Sequence, residues 1–276
     1  MPVFCRPVRP STLAAFVGLA SLAGCSKPAS SRAAAADSVI PGGPYGDAVR
    51  RGRALLTATR DSLPNHVGNK LRCTSCHLDE GRRETGSWVG VFARYPQYRA
   101  RSGAVETIEY RVNDCFRRSM NGTALDPAGP DMRDVVAYLA FLSRGATVSP
   151  PPAGSASARL QKWASFTADT AAGARVFGTS CAKCHGAAGE GTAGAPPLWG
   201  PESYNVGAGM TRVRTAAEFI SRNMPFDTPG TLTDSQAFNV AAYVNAHPRP
   251  DLRGKENDWP NGDPPSDVAY PTRSHH

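Results

Sequence analysis

No stretch of the 276-residue sequence interleaves basic residues with aromatics in the manner of a nucleic-acid binder, although the formal net charge is +8. That basicity favours anionic partners in general, by raising encounter rates, while the missing interleaving argues against a nucleic acid. Long apolar runs are also scarce. The first 25 residues carry Arg6 and Arg9, an apolar run from Leu13 to Ala23, and then Gly24 and Cys25. This is the order of an export signal, too short to span a bilayer. Loss of Arg6 and Arg9 with the leader still leaves a basic chain. Aromatic residues make up only 8%, but 41% hydrophobic content is enough for compact cores, and the length suits two domains of ordinary size.

The small residues before Cys25 resemble a bacterial lipobox, so residues 1–24 are expected to be a lipoprotein signal peptide and Cys25 the lipidated N-terminus. Residues 25–44 are small, polar and punctuated by Pro and Gly, without apolar periodicity, and read as a flexible tether. The expectation is a bacterial cell-envelope lipoprotein facing the periplasm. A diacylglycerol and an N-acyl group together bury far more methylene than a single acyl chain, so such an anchor holds durably.

Against these scarcities stand seven cysteines, an odd number for an exported chain. Four of them form "CTSCH" at 73–77 and "CAKCH" at 181–185. Cys-Xaa-Xaa-Cys-His twice in an exported protein reads as two covalent c-type haem sites. Two cysteines within one helical turn reach the two vinyl groups of a porphyrin, and the next histidine presents its imidazole to the iron. Cys73, Cys76, His77, Cys181, Cys184 and His185 are therefore the expected attachment residues. Redox dithiols and half zinc sites share the cysteine spacing but do not call for the histidine. Cys5 leaves with the leader and Cys25 takes lipid, so Cys115 remains. A spare thiol in an oxidising compartment needs a partner, an inert burial or a role.

The two halves repeat one plan. "GDAVRRGRALLTATRDSL" and "DTAAGARVFGTSC", the latter with Asp169 as N-cap, are amphipathic helices running into their haem motifs. "DMRDVVAYLAFLSRG" and "TDSQAFNVAAYVNAHP" are capped helices with aromatic-aliphatic stripes containing Tyr138 and Tyr243. In "TAAEFISRNMPFDTPG", Thr215 and Glu218 have capping-box spacing, Phe219 and Ile220 are expected inward, and Pro225 ends the helix at Met224. This order resembles class I cytochrome c, so the expected fold is all-α: two such domains in tandem with one haem each. The boundaries are 45–146 for the first domain, 147–162 for a linker, and 163–276 for the second with an irregular C-terminal tail.

Each iron needs a sixth ligand or a vacancy. Met224 follows His185 at nearly the spacing at which Cys115 follows His77, with Met210 the alternative in the second half and Met120 or Met132 in the first. If residues 104–120 form one helix, Arg111, Cys115 and Ser119 share a face beside a stripe of Ile108, Val112 and Phe116. Arg94, Arg99 and Arg101 come from the preceding segment, and such guanidinium groups suit an oxyanion. Interspersed acids make a solvated charged surface the competing reading.

The segments "LRCTSCHLDEG", "WVGVFARYPQYRAR", "NDCFRRSMNG", "PPLWGPESYNVGAGM", "FISRNMPF" and "HPRPDLRGKENDWP" resemble, in order, the dihaem thiosulfate dehydrogenase (tetrathionate-forming) family. The resemblance implies interconversion of thiosulfate and tetrathionate, with electrons passed to a c-type cytochrome or similar carrier. It implies a catalytic first haem held by His77 and Cys115, substrate contacts from Arg101, Arg111 and Ser119, and an electron-exit haem held by His185 and Met224. Some members place lysine before that methionine and switch ligands, whereas this chain has Asn223. A tethered dihaem electron carrier without a substrate of its own is the alternative. A dihaem peroxidase lacks an obvious histidine pair, since His66 and His247 read as structural.

Overall fold

A computed structural model describes residues 39–147 and 160–273. The expected leader, Cys25, and most of the tether and linker lie outside the described residues. Among the described residues, no helix is long and apolar enough to cross a membrane.

The architecture is all-α, built as two helical units. In the first, α1 (Gly43–Thr57) starts on a proline in its first turn, α2 (Ile108–Arg118) is capped by the Thr107 hydroxyl, and α3 (Pro130–Leu142) again starts on proline. Proline suits the first turn because its missing N–H would find no partner there anyway. In the second, α4 (Thr170–Val176) is capped by Asp169, α5 spans Val213–Asn223, and α6 (Asp234–Asn245) opens with a Thr233/Gln236 capping box. A π-helical turn, Phe177–Cys181, leads from α4 into the turn Ala182–His185 that carries the second haem motif.

Each unit crosses its first and last helices at a glycine. A Cβ on Gly52 would lie 1.9 Å from the Asp134 carbonyl oxygen and 3.1 Å from Tyr138 Cβ. A Cβ on Gly173 would lie 2.1 Å from the Asn239 oxygen and 2.8 Å from Tyr243 Cβ. The crossing is so close that only a hydrogen fits, and the aromatic stripes of α3 and α6 seat on it. The likeness extends to the haem loops. Trp88 meets Tyr138 edge-on at 6.2 Å, and Trp199 meets Tyr243 edge-on at 5.9 Å. Both tryptophans press on a glycine with positive φ, Gly81 and Gly189, where a side chain would collide with the indole.

Three expectations need correction. Residues 104–106 are not helical: β2 (Ala104–Glu106) pairs antiparallel with β1 (Gln97–Arg99), and α2 begins only at Ile108, where Thr107 caps it. Thr215 and Glu218 are not a capping box, because Arg212 occupies the N-cap and both lie inside α5. The Glu218 carboxylate instead accepts from Trp163 Nε1 at 3.2 Å and Arg222 Nε at 2.6 Å. Ala216, Ala217, Glu218 and Asn223 are the buried residues of α5; Ile220 packs against two core clusters as expected, but Phe219 is only half-buried and the last helical residue is Asn223, with Met224 as C-cap.

The two units share a core. Tyr204 and Ala208 of the second half pack in one cluster with Leu63, Phe116, Met120 and Met132 of the first. Farther along, Trp259 and Tyr270 are buried, so the irregular C-terminal segment is part of the folded body.

Candidate active site at the cysteine helix

The C-terminal end of α2 leaves carbonyl groups that no helical N–H can reach. Asn205 satisfies two of them, donating from its backbone N to Arg118 O at 3.2 Å and from Nδ2 to Arg117 O at 2.8 Å. Asn69 Nδ2 donates to Ser119 O at 2.9 Å and to Ser203 O at 3.0 Å. Both amides are buried. Residues that hold the end of this helix therefore come from the second half as well as the first.

On the helix, Arg111 Nη1 donates to Cys115 Sγ at 2.9 Å and reaches Asp114 Oδ2 at 3.5 Å. The negative charge of a Cys115 thiolate raises the Arg111 pKa above its usual value; burial opposes this and Asp114 supports it. Cys115 and Ser119 line one pocket with Cys73, Cys76, His77 and Trp88, closed by Leu56, Val112, Phe116 and Leu139. Of the predicted column, Cys115 and Ser119 border this pocket, and Arg111 bonds the cysteine sulfur. Met120 lines the same pocket and shares a core cluster with Met132, which does not border the pocket; half-buried Met210 packs against that cluster and a second one.

The histidines are set up as metal ligands. His77 Nδ1 lies 2.5 Å from Gly86 O and its ring stacks on Trp88 at 4.8 Å. His185 Nδ1 lies 2.8 Å from Pro196 O. With the Nδ1 proton donated to a carbonyl, each imidazole keeps the Nε2 lone pair for a metal. Burial lowers the His77 pKa to about 4, so the ring is neutral at physiological pH. Burial also pushes the Cys73 and Cys76 thiols up to about 12, an apolar setting that suits thioethers and disfavours thiolates. Cys181 is raised to about 11 for the same reason. These donor sets fit two covalently attached haems. Met224 follows the last residue of α5 and is half-buried. Beside it, Asn223 donates Nδ2 to Phe219 O at 2.9 Å, and its buried Oδ1 finds no partner among the described residues.

Arg101 is placed differently from Arg111. Its charge neighbours are Arg118, Tyr270, Asp114 and Asp258, whereas Arg111 bonds the cysteine sulfur itself. Arg99 faces Glu106, 3.9 Å away. Arg118 donates from Nε to Asp114 and from both Nη atoms to Asp258, at 2.7 and 2.8 Å, making a buried two-acid clamp. The acids near Arg118, buried Asp258 and half-buried Asp114, are therefore its ion-pair partners and do not form a solvated surface. His66 bonds to Thr123 O and His247 to Tyr243 O, consistent with structural roles. Asn69, Asn205, Asp258 and Trp259 escaped prediction because no periodicity or motif marks them; the segments of the last three entered only through the family resemblance, and that of Asn69 not at all.

An all-α tandem of two haem-attachment loops, each with its histidine oriented by a carbonyl, defines a dihaem c-type cytochrome carrying two covalently bound haem c groups. Residues 65–148 match the SoxA/TsdA cytochrome c domain, and residues 168–244 match the cytochrome C oxidase, cbb3-type, subunit III family. A thiosulfate dehydrogenase of Psychrobacter arcticus is 42% identical over 84% of this chain and 72% of its own. Another, from Allochromatium vinosum, is 42% identical over 78% of this chain and 83% of its own. The chain belongs to the thiosulfate dehydrogenase family and is an oxidoreductase. The solved thiosulfate dehydrogenase TsdBA of Marichromatium purpuratum superposes with a TM-score of 0.68 at 37% identity over 78% of this chain; the match spans about half (49%) of that longer chain.

Proposed function

We propose that the protein interconverts thiosulfate and tetrathionate, with Cys115 as the sulfur-bonding residue. The observation that carries this is the Arg111 guanidinium 2.9 Å from the sulfur of Cys115, the residue that lines a pocket with His77 and the first pair of attachment cysteines. His77 and Cys115 would hold the first haem iron, and His185 and Met224 the second. Met120 also borders the first pocket, but the cation sits on Cys115.

In the oxidative direction, the Cys115 thiolate and the sulfane sulfur of one thiosulfate form a bond and release two electrons, leaving an S-thiosulfonate on the cysteine. Haem c groups held by His77 with Cys115 and by His185 with Met224 would supply the one-electron acceptors for these two electrons. The sulfane sulfur of a second thiosulfate then attacks the sulfane sulfur of the adduct, the atom bonded to Cys115; the new S–S bond makes tetrathionate, and the thiolate of Cys115 leaves with the electron pair of the broken bond. Arg111 stabilises the departing thiolate. Arg101 and Arg111 hold sulfonate oxygens, and Ser119 donates a hydrogen bond to substrate or to the cysteine sulfur. A c-type cytochrome accepts the electrons. Residues 1–24 direct export, and Cys25 anchors the enzyme to the bacterial envelope facing the periplasm.

The test is Cys115→Gly in protein that retains both haems. Loss of thiosulfate-to-tetrathionate turnover is expected; undiminished turnover would overturn the assignment.

A further inference from the structure

Arg101 is the under-neutralised cation of the cluster. Asp114 and Asp258 are both committed to Arg118. Burial lowers the Arg101 pKa, assisted by the Arg118 charge, whereas Arg111 and Arg118 are raised by their partners. Its Nη1 donates to Gly207 O at 2.8 Å, and its Nε and Nη2 donate to no described residue. A half-buried arginine with part of its fork unspent is suited to an incoming anion.

What keeps it there comes from the other half of the chain. The Arg101 guanidinium lies over the Trp259 indole at 4.8 Å, and Trp259 N donates to Arg101 O at 2.8 Å. Trp259 is 4% exposed and sits at φ 55°, a left-handed conformation unfavourable for so bulky a residue. Its neighbours fix the segment: Asp258 grips Arg118, and Asn261 Nδ2 donates to Tyr98 OH at 2.9 Å. Backbone strain survives only where the surroundings over-determine it, and here they hold the indole face under one guanidinium.

We propose that Trp259 is a positioning residue for thiosulfate: its indole face and backbone N–H fix Arg101 so that the free edge of the guanidinium meets the substrate sulfonate. This rests on the thiosulfate reading given above, and it makes the second half part of the first haem's substrate site. Loss of the aromatic face frees the arginine and removes a binding interaction common to ground and transition states, which raises KM and spares kcat.

The experiment compares Trp259→Leu, Trp259→Phe and wild-type protein, each with both haems, in thiosulfate oxidation. The leucine variant is expected to raise KM about tenfold with kcat within about threefold, and the phenylalanine variant to restore most of the loss. An unchanged KM in the leucine variant, or a phenylalanine variant as impaired as leucine, would overturn the proposal. If leucine does not hold both haems, Trp259→Met, a longer and more adaptable side chain without an aromatic face, is judged by the same outcomes. Wild-type protein without turnover overturns the thiosulfate reading and this role together; wild-type turnover with unaltered KM in the variant overturns this role alone.

Discussion

Asp258→Asn tests the joint between the halves with little change in shape. The Asp258 side chain is 9% exposed and that of Arg118 14%, so the pair is largely shielded from water. The carboxylate accepts two Arg118 N–H groups and the Tyr270 hydroxyl at 2.5 Å. Burial pushes the Tyr270 pKa up to about 12, so it remains a donor throughout the physiological range. Removing one partner of a buried ion pair costs about 3–5 kcal/mol. Arg118 keeps Asp114, which lowers the expectation to about 2–3 kcal/mol. For a chain of this size, that corresponds to a fall in Tm of about 5–10 °C. Thermal unfolding of the holo-protein, followed by circular dichroism and by haem absorbance, measures it. A double-mutant cycle with Arg118→Gln isolates the pair from the loss of either charge alone. A fall below about 1 °C, or strict additivity in the cycle, would show that the pair is screened by solvent and that the reasoning from burial fails.

Gly52→Ala and Gly173→Ala gain helix propensity of about 1 kcal/mol but meet a carbonyl oxygen at 1.9 and 2.1 Å. Overpacking of about 1–3 kcal/mol is expected to win, and thermal unfolding that shows either variant stabilised would contradict the close crossings. The Glu80 carboxylate gives a pH test. Burial pushes it up, but hydrogen bonds from Arg53 and Arg82 more than reverse this, so its folded pKa lies below the usual value of 4.5. Such a group stabilises the fold above its unfolded pKa and loses that contribution as pH falls through the folded value. Because Glu80 is a quarter exposed, Glu80→Gln is expected to cost no more than about 1 kcal/mol at pH 7. Denaturant midpoints of the two proteins should converge in acid; a gap that widens below pH 4 would reverse the sign.

The sequence by itself determined the parts whose chemistry is local. Two CxxCH motifs fix haem attachment, because two thioethers and a histidine must come from five consecutive residues. The duplicated order of helices and the i, i+4, i+8 spacing that aligns Arg111, Cys115 and Ser119 are likewise written in periodicity. The same local reasoning misjudged the start of α2, since pairing of residues 104–106 with 97–99 competes with the helix. It also misread Thr215 and Glu218, whose capping spacing was overridden when Arg212 took the N-cap and Trp163 and Arg222 took the carboxylate. Only the tertiary structure decided which cations are free. Arg118 lies three residues past Cys115 and looks no less available than Arg101, yet Asp258, 140 positions away, neutralises it. Arg101 keeps an open edge because its neighbours in space are a carbonyl and an indole face. Charge availability depends on what lies within a few ångströms after folding, and the residues that set it at this site, Gly207, Asp258, Trp259 and Tyr270, come from the other half of the chain.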